Sequence, residues 1–464
     1  MSVLDAKILA ARTVGELARR AGQGGGTSLP GKVLTRLEPH AIERLAARLT
    51  LGTAVISATN GKTTTAAMAA SILHGSGHRL VHNRAGANMA GGVASTLLEA
   101  AAPRGTIHGE LGLFEVDEFW LDRVAPELAP RTMVLGNLFR DQLDRYGELE
   151  TIADRWAALV SALPATGLAL NADDPLIADL GRDRARVRYF GIEDESVAMA
   201  EMQHASDSKH CRRCGAAYVY EAIYLGHLGR YRCPVCGQRR PDPTVAAEQI
   251  ELLGTRAARF VLRTPEGAAA ISLPLPGLYN VYNALGAATL CLELGASLEE
   301  VRTGLESVSA VFGRAERIDV DGVELSILLI KNPAGANEVA RTLVLEPGEL
   351  DVLGILNDRT ADGRDVSWVW DADLELLAGR VRHVTCGGTR AAELAVRLKY
   401  AGVPSERLHV EPDLSAALDH ALSSTGDRRL FALPTYTALL ELREELSRRG
   451  HVQRFWTDPA QAAP

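Results

Sequence analysis

Short apolar runs alternate with amphipathic segments along most of the chain. The runs at 53–57, 132–138 and 167–171 consist mainly of aliphatic residues. Continuous apolar runs of this length predict strands that are buried on both faces of a parallel sheet. The segments between them carry apolar residues at helical spacing. This alternation predicts an α/β fold with a mostly parallel sheet.

The same pattern divides the 464 residues into three predicted regions. Residues 1–45 should form a helical lead-in, because charged and apolar residues there alternate at helical spacing. Residues 46–312 should form the larger parallel-sheet domain. Residues 313–464 should form a smaller, Rossmann-like α/β domain, joined to the larger one by a hinge near 312–317.

The C-terminal region repeats strand and helix on a smaller scale. Each of its predicted strands ends in a polar cluster, and the carboxyl ends of parallel strands gather at one edge of a sheet. This polar edge should face the edge of the first sheet and form a cleft with it. The predicted strands lie at 325–330, 351–356, 381–386 and 429–433.

A glycine-containing loop follows the first strand of the large domain. Backbone N–H groups of such a loop, together with the N-terminus of the next helix, attract phosphate. The Lys62 ammonium would bridge the β- and γ-phosphates of ATP, and the Thr63 hydroxyl would face Mg²⁺. A chance strand–loop–helix is the alternative, because Ile56 replaces the first glycine of the full pattern. The predicted ATP-binding residues of the loop are Thr59, Asn60, Gly61, Lys62, Thr63 and Thr64.

Two further groups of polar side chains are candidates for the same site. Glu115 lies near the end of a strand predicted at 113–118. Carboxylates there are either good Mg²⁺ ligands or a solvated strand end. Asn280 and Asn283 lie three residues apart on one face of a predicted helix, where they would bind a nucleobase or cap the helix.

Four of the six cysteines occur as two C-x-x-C pairs, each followed by glycine. Their spacing is typical of a zinc ribbon, and four thiolates would close a tetrahedral structural site. Two redox pairs or reduced thiols are the alternative. The pattern predicts a zinc-ribbon insert at about 205–242, in which His210 and His227 are not needed as ligands. The predicted zinc ligands are Cys211, Cys214, Cys233 and Cys236.

The composition excludes several classes of protein. With 47% hydrophobic and 23% charged residues, the chain is typical of a globular protein. Its net charge of −8 argues against a protein that coats nucleic acid. We expect no transmembrane segment and no signal peptide, because no stretch has the necessary unbroken apolar core. The protein is therefore expected to be cytoplasmic.

Taken in order, these motifs resemble those of the Mur ligase superfamily, ATP-dependent enzymes that join an amine to a carboxylate. A finer resemblance is to the synthetase subunits of lipid II isoglutaminyl synthase. The segments similar to the superfamily are 59–64, 115–118, Asn137 with 144–146, 170–174, the Asn280/Asn283 pair, 313–316 and 332–335. The segments similar to the synthetase subunits are 137–147, the cysteine pairs, 362–368 and 435–440.

The resemblance implies the fold, the cofactors and a reaction. ATP with Mg²⁺ would phosphorylate the α-carboxylate of D-glutamate in the stem peptide of lipid II. Ammonia would then displace phosphate and give D-isoglutamine, in a step of peptidoglycan synthesis. Thr63 and Glu115 would hold Mg²⁺, Arg314 would clamp phosphate or carboxylate, and a loop at Asn332 would close over bound ATP.

The resemblance also implies a partner. Cys291 and Cys386 lack the context of a glutaminase nucleophile, so ammonia should come from a separate glutaminase, GatD. An aspartate of the C-terminal domain would assist that partner; Asp365 is the first choice and Asp362 the second. A local loop contact is the alternative explanation of Asp365. The lipid-linked substrate would bring the protein to the inner face of the plasma membrane.

Three departures separate the chain from ordinary Mur ligases. Only residues 1–45 precede the ATP domain, so a domain that grips a UDP-sugar peptide is not expected. Gln142 replaces a metal-binding histidine, and Arg155–Trp156 occupy the region of a lysine that some relatives carbamylate. Two other functions stay open: a stand-alone amino-acid ligase of the Mur or folylpolyglutamate type, and a non-catalytic ATP-dependent scaffold.

Overall fold

Two sheets organise the chain, one of nine strands and one of six. They belong to a computed structural model that describes residues 3–20, 28–83, 86–102, 106–141, 149–204, 206–308, 314–426 and 429–453. The α/β fold expected from the alternating pattern is therefore confirmed.

The larger sheet and a separate hairpin contain the first eleven strands. These are β1 (Thr53–Ser57), β2 (Leu80–His82), β3 (Leu111–Glu115), β4 (Thr132–Leu135), β5 (Gly167–Asn171), β6 (Val187–Ile192), β7 (Val219–Leu225), β8 (Leu228–Arg232), β9 (Val245–Leu253), β10 (Ala257–Thr264) and β11 (Gly267–Leu273). The nine-stranded sheet has the order β11-β10-β9-β6-β5-β4-β1-β3-β2, and β7 pairs with β8 alone.

The larger sheet is mostly parallel, as expected from the alternating pattern, and its antiparallel end was not predicted. Neighbours from β2 to β9 run parallel, whereas β9, β10 and β11 form an antiparallel meander. The connections at 254–256 and 265–266 are short. A parallel crossover needs a dozen or more residues, so these strands can pair only as hairpins.

The smaller sheet contains the remaining six strands. They are β12 (Arg314–Val320), β13 (Val323–Leu328), β14 (Leu350–Ile355), β15 (Val381–Gly387), β16 (Leu408–Val410) and β17 (Arg429–Pro434). Their order is β12-β13-β17-β14-β15-β16, and β12 alone runs antiparallel to its neighbour. The four strands predicted in this region are present, and β12 and β16 are additional.

Helices cover both faces of each large layer of strands. The described α-helices are α1 (Val3–Arg20), α2 (Leu29–Leu37), α3 (Ala41–Ala46), α4 (Lys62–Gly75), α5 (Ala90–Ala100), α6 (Leu121–Leu128), α7 (Leu149–Ala162), α8 (Pro175–Ala178), α9 (Leu278–Glu293), α10 (Leu298–Glu306), α11 (Pro333–Val344), α12 (Ala391–Tyr400), α13 (Leu414–Ser424) and α14 (Tyr436–Arg448). Within the described residues, no helix has the length and apolarity that crossing a membrane requires.

The central strands of the large sheet are buried on both faces because their side chains alternate between two cores. Ile56 joins a core with Met68 of α4 and Leu285 of α9. Val55, the preceding residue, joins the opposite core with Trp156 of α7. A strand that packs helices on both faces must be apolar throughout, which explains the continuous apolar run at 53–57.

Candidate active-site cleft

The loop between β1 and α4 turns through Gly61, whose φ is +90°. A Cβ on Gly61 would lie 1.9 Å from Asn283 Oδ1, so both the backbone and the packing require glycine here. Asn137, just after β4, fixes the loop from the sheet side. Asn60 N–H donates to Asn137 Oδ1 at 2.9 Å, and Asn137 Nδ2 donates to Asn60 O at 3.0 Å. The loop is therefore held in a fixed shape by the neighbouring strand.

Lys62 begins α4 and is buried beneath the loop. Its ammonium donates to Ala58 O at 2.5 Å and to Glu118 Oε2 at 2.6 Å. Burial by itself lowers the pKa of Lys62, but the charges of Glu118 and Asp117 outweigh it and leave that pKa raised. Burial likewise opposes ionisation of Glu118, yet the charges of Lys62 and Lys331 keep the pKa of Glu118 lowered. The pair is thus ionised at neutral pH.

The acidic segment after β3 surrounds this ammonium. Glu115 is the last residue of β3 and is fully buried. The side-chain amide of Asn83 donates a hydrogen bond to Glu115 O and accepts one from Glu115 N. Glu118, which was not selected from the sequence, is the carboxylate in contact with Lys62. Trp156 Nε1 donates to Glu118 O at 3.0 Å and so positions this segment. The Glu-x-x-Glu spacing was visible in the sequence, but the choice between its members required the structure.

The two asparagines of α9 do different things. Asn283 lines the cleft, where its Oδ1 lies 3.3 Å from Thr65 Oγ1. Asn280 donates to Pro276 O at 2.7 Å and accepts a hydrogen bond from Asn283 Nδ2 at 3.0 Å. Asn280 therefore holds the start of the helix and orients Asn283, while Asn283 faces the space where a nucleotide would lie.

The smaller sheet reaches the loop from the other side. Asn332 caps α11 and forms a reciprocal amide pair with Asn60, with N···O distances of 3.0 and 3.3 Å. Lys331 Nζ lies 3.3 Å from Thr59 O and 2.5 Å from Asp141 Oδ2. Lys331 was noted in the sequence only as part of a polar strand end. The structure thus brings the predicted Asn332 to the loop and adds a second ammonium.

A cleft of about 870 Å³, open to solvent, lies between these elements. The glycine loop, Lys331 and Asn283 contribute polar groups to its lining. The hairpin between β7 and β8 contributes apolar side chains. The lining includes Asn60, Gly61, Thr64, Asn137, Phe139, Leu225, Leu228, Tyr279, Tyr282, Asn283, Lys331, Glu338 and Val339.

Asp362 and Asp365 lie together in a neighbouring cavity that also contains Lys331 and Asn332. Asp362 is buried and accepts a hydrogen bond from Thr437 N at 2.7 Å, so it ties its loop to α14. Asp365 is exposed and accepts a hydrogen bond from Ser367 N at 2.8 Å. Hydrogen bonds from Ser367 hold the pKa of Asp365 below its ordinary value. Asp365 thus forms a hydrogen bond within its own loop, and its carboxylate is also accessible to solvent.

The four predicted zinc ligands converge. Their Sγ atoms all lie within 4.8 Å of one another, and the Cys214–Cys233 distance is 3.4 Å. A tetrahedron with Zn–S bonds of about 2.3 Å requires similar sulfur–sulfur distances. Backbone N–H groups, Cys236 N first, lower the pKa of Cys233 to about 6, whereas the pKa values of Cys214 and Cys236 are raised, so the fit to a metal rests on the geometry of the four sulfur atoms. Neither His210 nor His227 belongs to the cluster.

Some predicted residues have no described side chain. Arg314 begins β12, but its side chain lies outside the described part of the structure, as do Gln142 and residues 144–146. Their roles remain predictions. Arg155 lies in the region where some Mur ligases have a carbamylated lysine, and it forms a bidentate ion pair with Asp122.

Comparison with known proteins gives the family. Residues 56–233 match the model described as Mur ligase middle domain, and residues 329–439 match MurT ligase C-terminal. The chain is 32% identical over 449 residues to the lipid II isoglutaminyl synthase (glutamine-hydrolyzing) subunit MurT of Streptococcus pneumoniae. The match covers 95% of this chain and 98% of that protein. The chain belongs to the MurT family.

A second MurT subunit, from Staphylococcus aureus, is 33% identical over 437 residues, which is 93% of this chain and 96% of that protein. Solved structures of other ligases share the fold of this chain. A pseudomurein peptide ligase type C from Methanothermus fervidus has a TM-score of 0.67 at 24% identity, covering 87% of this chain and 80% of that chain. Folylpolyglutamate synthase from Mycobacterium tuberculosis has a TM-score of 0.60 at 16% identity, covering 89% and 95%.

Proposed function

We propose that this chain is the ATP-dependent synthetase subunit of a lipid II isoglutaminyl synthase. The observation that carries the proposal is the near full-length similarity to two subunits of that name, at 32 and 33% identity. The cleft supports it, because the glycine loop and Lys331 line the cleft, and the buried Lys62–Glu118 pair lies beneath the loop. The reaction would be amidation of the D-glutamate α-carboxylate of the lipid II stem peptide.

The polar groups around the glycine loop are suited to binding the phosphates of ATP. Lys62 is ionised, and its contact with Glu118 would be exchanged in part for phosphate oxygens. Thr63, in the first turn of α4, and the carboxylates Glu115 and Glu118 would offer the hard oxygen donors that Mg²⁺ prefers. Mg²⁺, when bound, offsets phosphate charge and orients the γ-phosphoryl group. Thr59, Asn60, Gly61 and Thr64 would complete the phosphate cradle.

The chemistry would proceed in two displacements. An oxygen of the substrate carboxylate attacks the γ-phosphorus, ADP leaves, and an acyl phosphate forms. The ammonia lone pair then attacks the acyl carbon, phosphate leaves, and the amide nitrogen loses a proton. Lys331 and Arg314 would stabilise negative charge on the acyl phosphate from the facing sheet. Contacts such as Asn60–Asn332 would keep water out during this step.

A glutaminase partner of the GatD type would supply the ammonia. Within the described residues, Cys291 and Cys386 are both buried, and burial raises the pKa of the Cys386 thiol to about 12. Neither is therefore suited to attack glutamine. Asp365 is exposed, and Trp370, five residues further along the chain, is 51% exposed. An accessible carboxylate and an exposed tryptophan on one segment are suitable contacts for a partner protein.

We also assign a structural Zn²⁺ to the four cysteines, in a zinc-ribbon insert. Four thiolates leave no open coordination position, so this ion would stabilise the fold and take no part in the reaction. A metal content of one Zn²⁺ per chain, lost when Cys214 is replaced by serine, is the expected result.

The test is amidation by the purified chain with ATP, Mg²⁺, ammonium and lipid II. We expect release of ADP and phosphate, and mass spectrometry of the stem peptide should show replacement of one carboxyl OH by NH₂. With the partner present, glutamine should replace ammonium. If ATP is hydrolysed when glutamate replaces ammonium as the attacking amine, and is not hydrolysed with ammonium, the chain would instead be a stand-alone ligase of the folylpolyglutamate type.

A further inference from the structure

The hairpin between β7 and β8 extends from the cysteine cluster to the nucleotide cleft. Its tip, residues 225–228, is buried: Leu225 is 5% exposed and Leu228 is 1% exposed. Both leucines line the cleft, as do Tyr279 and Asn283 of α9. An insert expected only to bind a structural metal therefore forms part of the candidate active site.

The tip is fixed to the large sheet by specific contacts. Gly229 N donates to Asp173 O at 2.9 Å, and Gly226 N donates to Gln203 Oε1 at 2.8 Å. The His227 ring is fully buried and lies 4.7 Å, centroid to centroid, from the ring of Phe139, which also lines the cleft. The position of the leucines is thus set by the packing of the whole tip.

The other end of the hairpin is held by the cysteines. Cys233 follows β8 directly, and Cys211 lies on the segment that leads into β7. Between the cysteines and the tip, Tyr218 packs against Tyr231 with ring centroids 5.0 Å apart. An isolated two-stranded hairpin is only marginally stable. A metal that closes the cluster would therefore stabilise the hairpin along its length.

The hairpin also contacts the smaller sheet. Arg341 of α11 donates to Tyr224 O at 2.7 Å and pairs with Glu338, which lines the same cleft. The tip thus lies between the two halves that close around the cleft. A shift of the hairpin would therefore change the lining of the cleft on the side of the large sheet and on the side of α11.

We propose that Leu225 and Leu228 are the apolar wall against which the nucleobase packs, and that metal binding at the cysteines sets nucleotide affinity through this wall. The inference rests on the proposed binding of ATP in the cleft. The glycine loop and Lys331 line the cleft and suit the phosphates, so we assign the base to the apolar lining that the leucines contribute. Apolar side chains with a few polar groups are the usual surroundings of a bound base.

The experiment compares ADP with inorganic tripolyphosphate, which has phosphates but no base, by calorimetric titration in the presence of Mg²⁺. Leu228→Ala should weaken ADP binding about 10-fold or more, the effect of lost methylene contacts in an apolar pocket, and leave tripolyphosphate binding unchanged. Cys214→Ser, shown by metal analysis to have lost the ion, should weaken ADP binding in the same way. Val219→Ala, at the exposed opposite end of β7, is the matched control and should bind both ligands normally.

The double variant Lys62→Met/Glu118→Gln, which leaves no buried charge without a partner, separates this inference from the proposed function. If the double variant is folded and binds neither ligand while Leu228→Ala and Cys214→Ser bind ADP normally, the apolar wall is wrong and the ATP site stands. If the wild-type chain binds neither ligand, both proposals fail.

Hydrogen exchange on the wild-type chain removes any dependence on the folding of a variant. ADP should slow exchange of the backbone amides at 224–229, and tripolyphosphate should not. Equal protection by the two ligands, or none by ADP, would overturn the assignment of the wall.

Discussion

At the scale of single residues, the Lys62–Glu118 pair is the main electrostatic feature of the cleft. Both groups are buried, and each holds the other in its charged form. Removal of one partner from a buried pair leaves an uncompensated charge and costs about 3–5 kcal/mol. The pair therefore contributes to folding as well as to phosphate binding, and a single substitution cannot separate the two.

Lys62→Met should lower the free energy of unfolding by about 3–5 kcal/mol and abolish ATP binding. The double variant Lys62→Met/Glu118→Gln should recover most of the stability, because no buried charge is left without a partner, but it should not recover binding. Chemical denaturation and nucleotide titration measure the two effects. A double variant as unstable as Lys62→Met would contradict the buried-pair explanation.

The same pair predicts a dependence of stability on pH. The pKa of Glu118 is lowered in the folded chain, so its ionised carboxylate stabilises the fold. This stabilisation is complete at pH values above 4.5, the ordinary pKa of a glutamate, and is lost as the pH falls through the pKa of Glu118 in the folded chain. The difference in unfolding free energy between wild type and Lys62→Met should therefore narrow on acidification below pH 4.5. Denaturation curves at several pH values test this, and a constant difference would exclude Glu118 as the cause.

At the scale of elements, the glycine loop shows why a weak motif can specify a site. Gly61 has a left-handed backbone conformation and packs against Asn283. Asn137, just after β4, forms a hydrogen bond with the loop. Only Gly61 and Lys62 are conspicuous in the sequence. The asparagines that shape the loop come from distant segments, and they meet it because β1, β4 and α9 pack side by side.

Gly61→Ala should leave the fold intact and weaken ATP binding about tenfold or more. A residue with a Cβ costs about 1–2 kcal/mol in the left-handed region, and this Cβ would also displace Asn283. A change of about 1.4 kcal/mol is already tenfold in affinity. Gly75→Ala is the matched control at the other end of α4, since its Cβ would meet nothing within 4 Å. Equal affinities of the two variants would contradict this account of the loop.

At the scale of the whole molecule, the function depends on contacts between the two sheets. The Asn60–Asn332 amide pair and the Lys331–Asp141 ion pair join residues far apart in sequence. They place the loop of Asp365 beside the cleft while leaving Asp365 itself exposed. This arrangement fits the proposal that one molecule binds a nucleotide in the cleft and presents the Asp365 carboxylate to a partner.

Asp365→Asn should reduce amidation driven by glutamine and leave amidation driven by ammonium unchanged, because the carboxylate would act only on the partner's catalytic pair. Product formation with each nitrogen source, measured in the presence of the glutaminase subunit, gives the comparison. Asp183→Asn, an exposed aspartate of the large domain, is the control and should alter neither rate. Equal loss with both nitrogen sources would place Asp365 in the synthetase reaction instead.

Particular residues show where prediction from the sequence succeeded and where it stopped. The strand before Lys62 and the four cysteines were recognisable because their signals are local: a continuous apolar run and a fixed C-x-x-C spacing. Glu118, Lys331 and Leu228 were not selected, because acidic, basic and apolar residues are common and nothing local distinguishes these three. Their places in the cleft follow from how strands and helices pack.

The sequence by itself determined the α/β class, the phosphate-type loop, the cysteine cluster and the resemblance to the Mur ligases, since each depends on neighbours along the chain. Tertiary structure alone decided which carboxylate meets Lys62, that Lys331 reaches Thr59, and that the cysteine insert reaches the cleft. The physical reason is that these contacts join segments tens to hundreds of residues apart. Their geometry is fixed only when both sheets and their covering helices have packed.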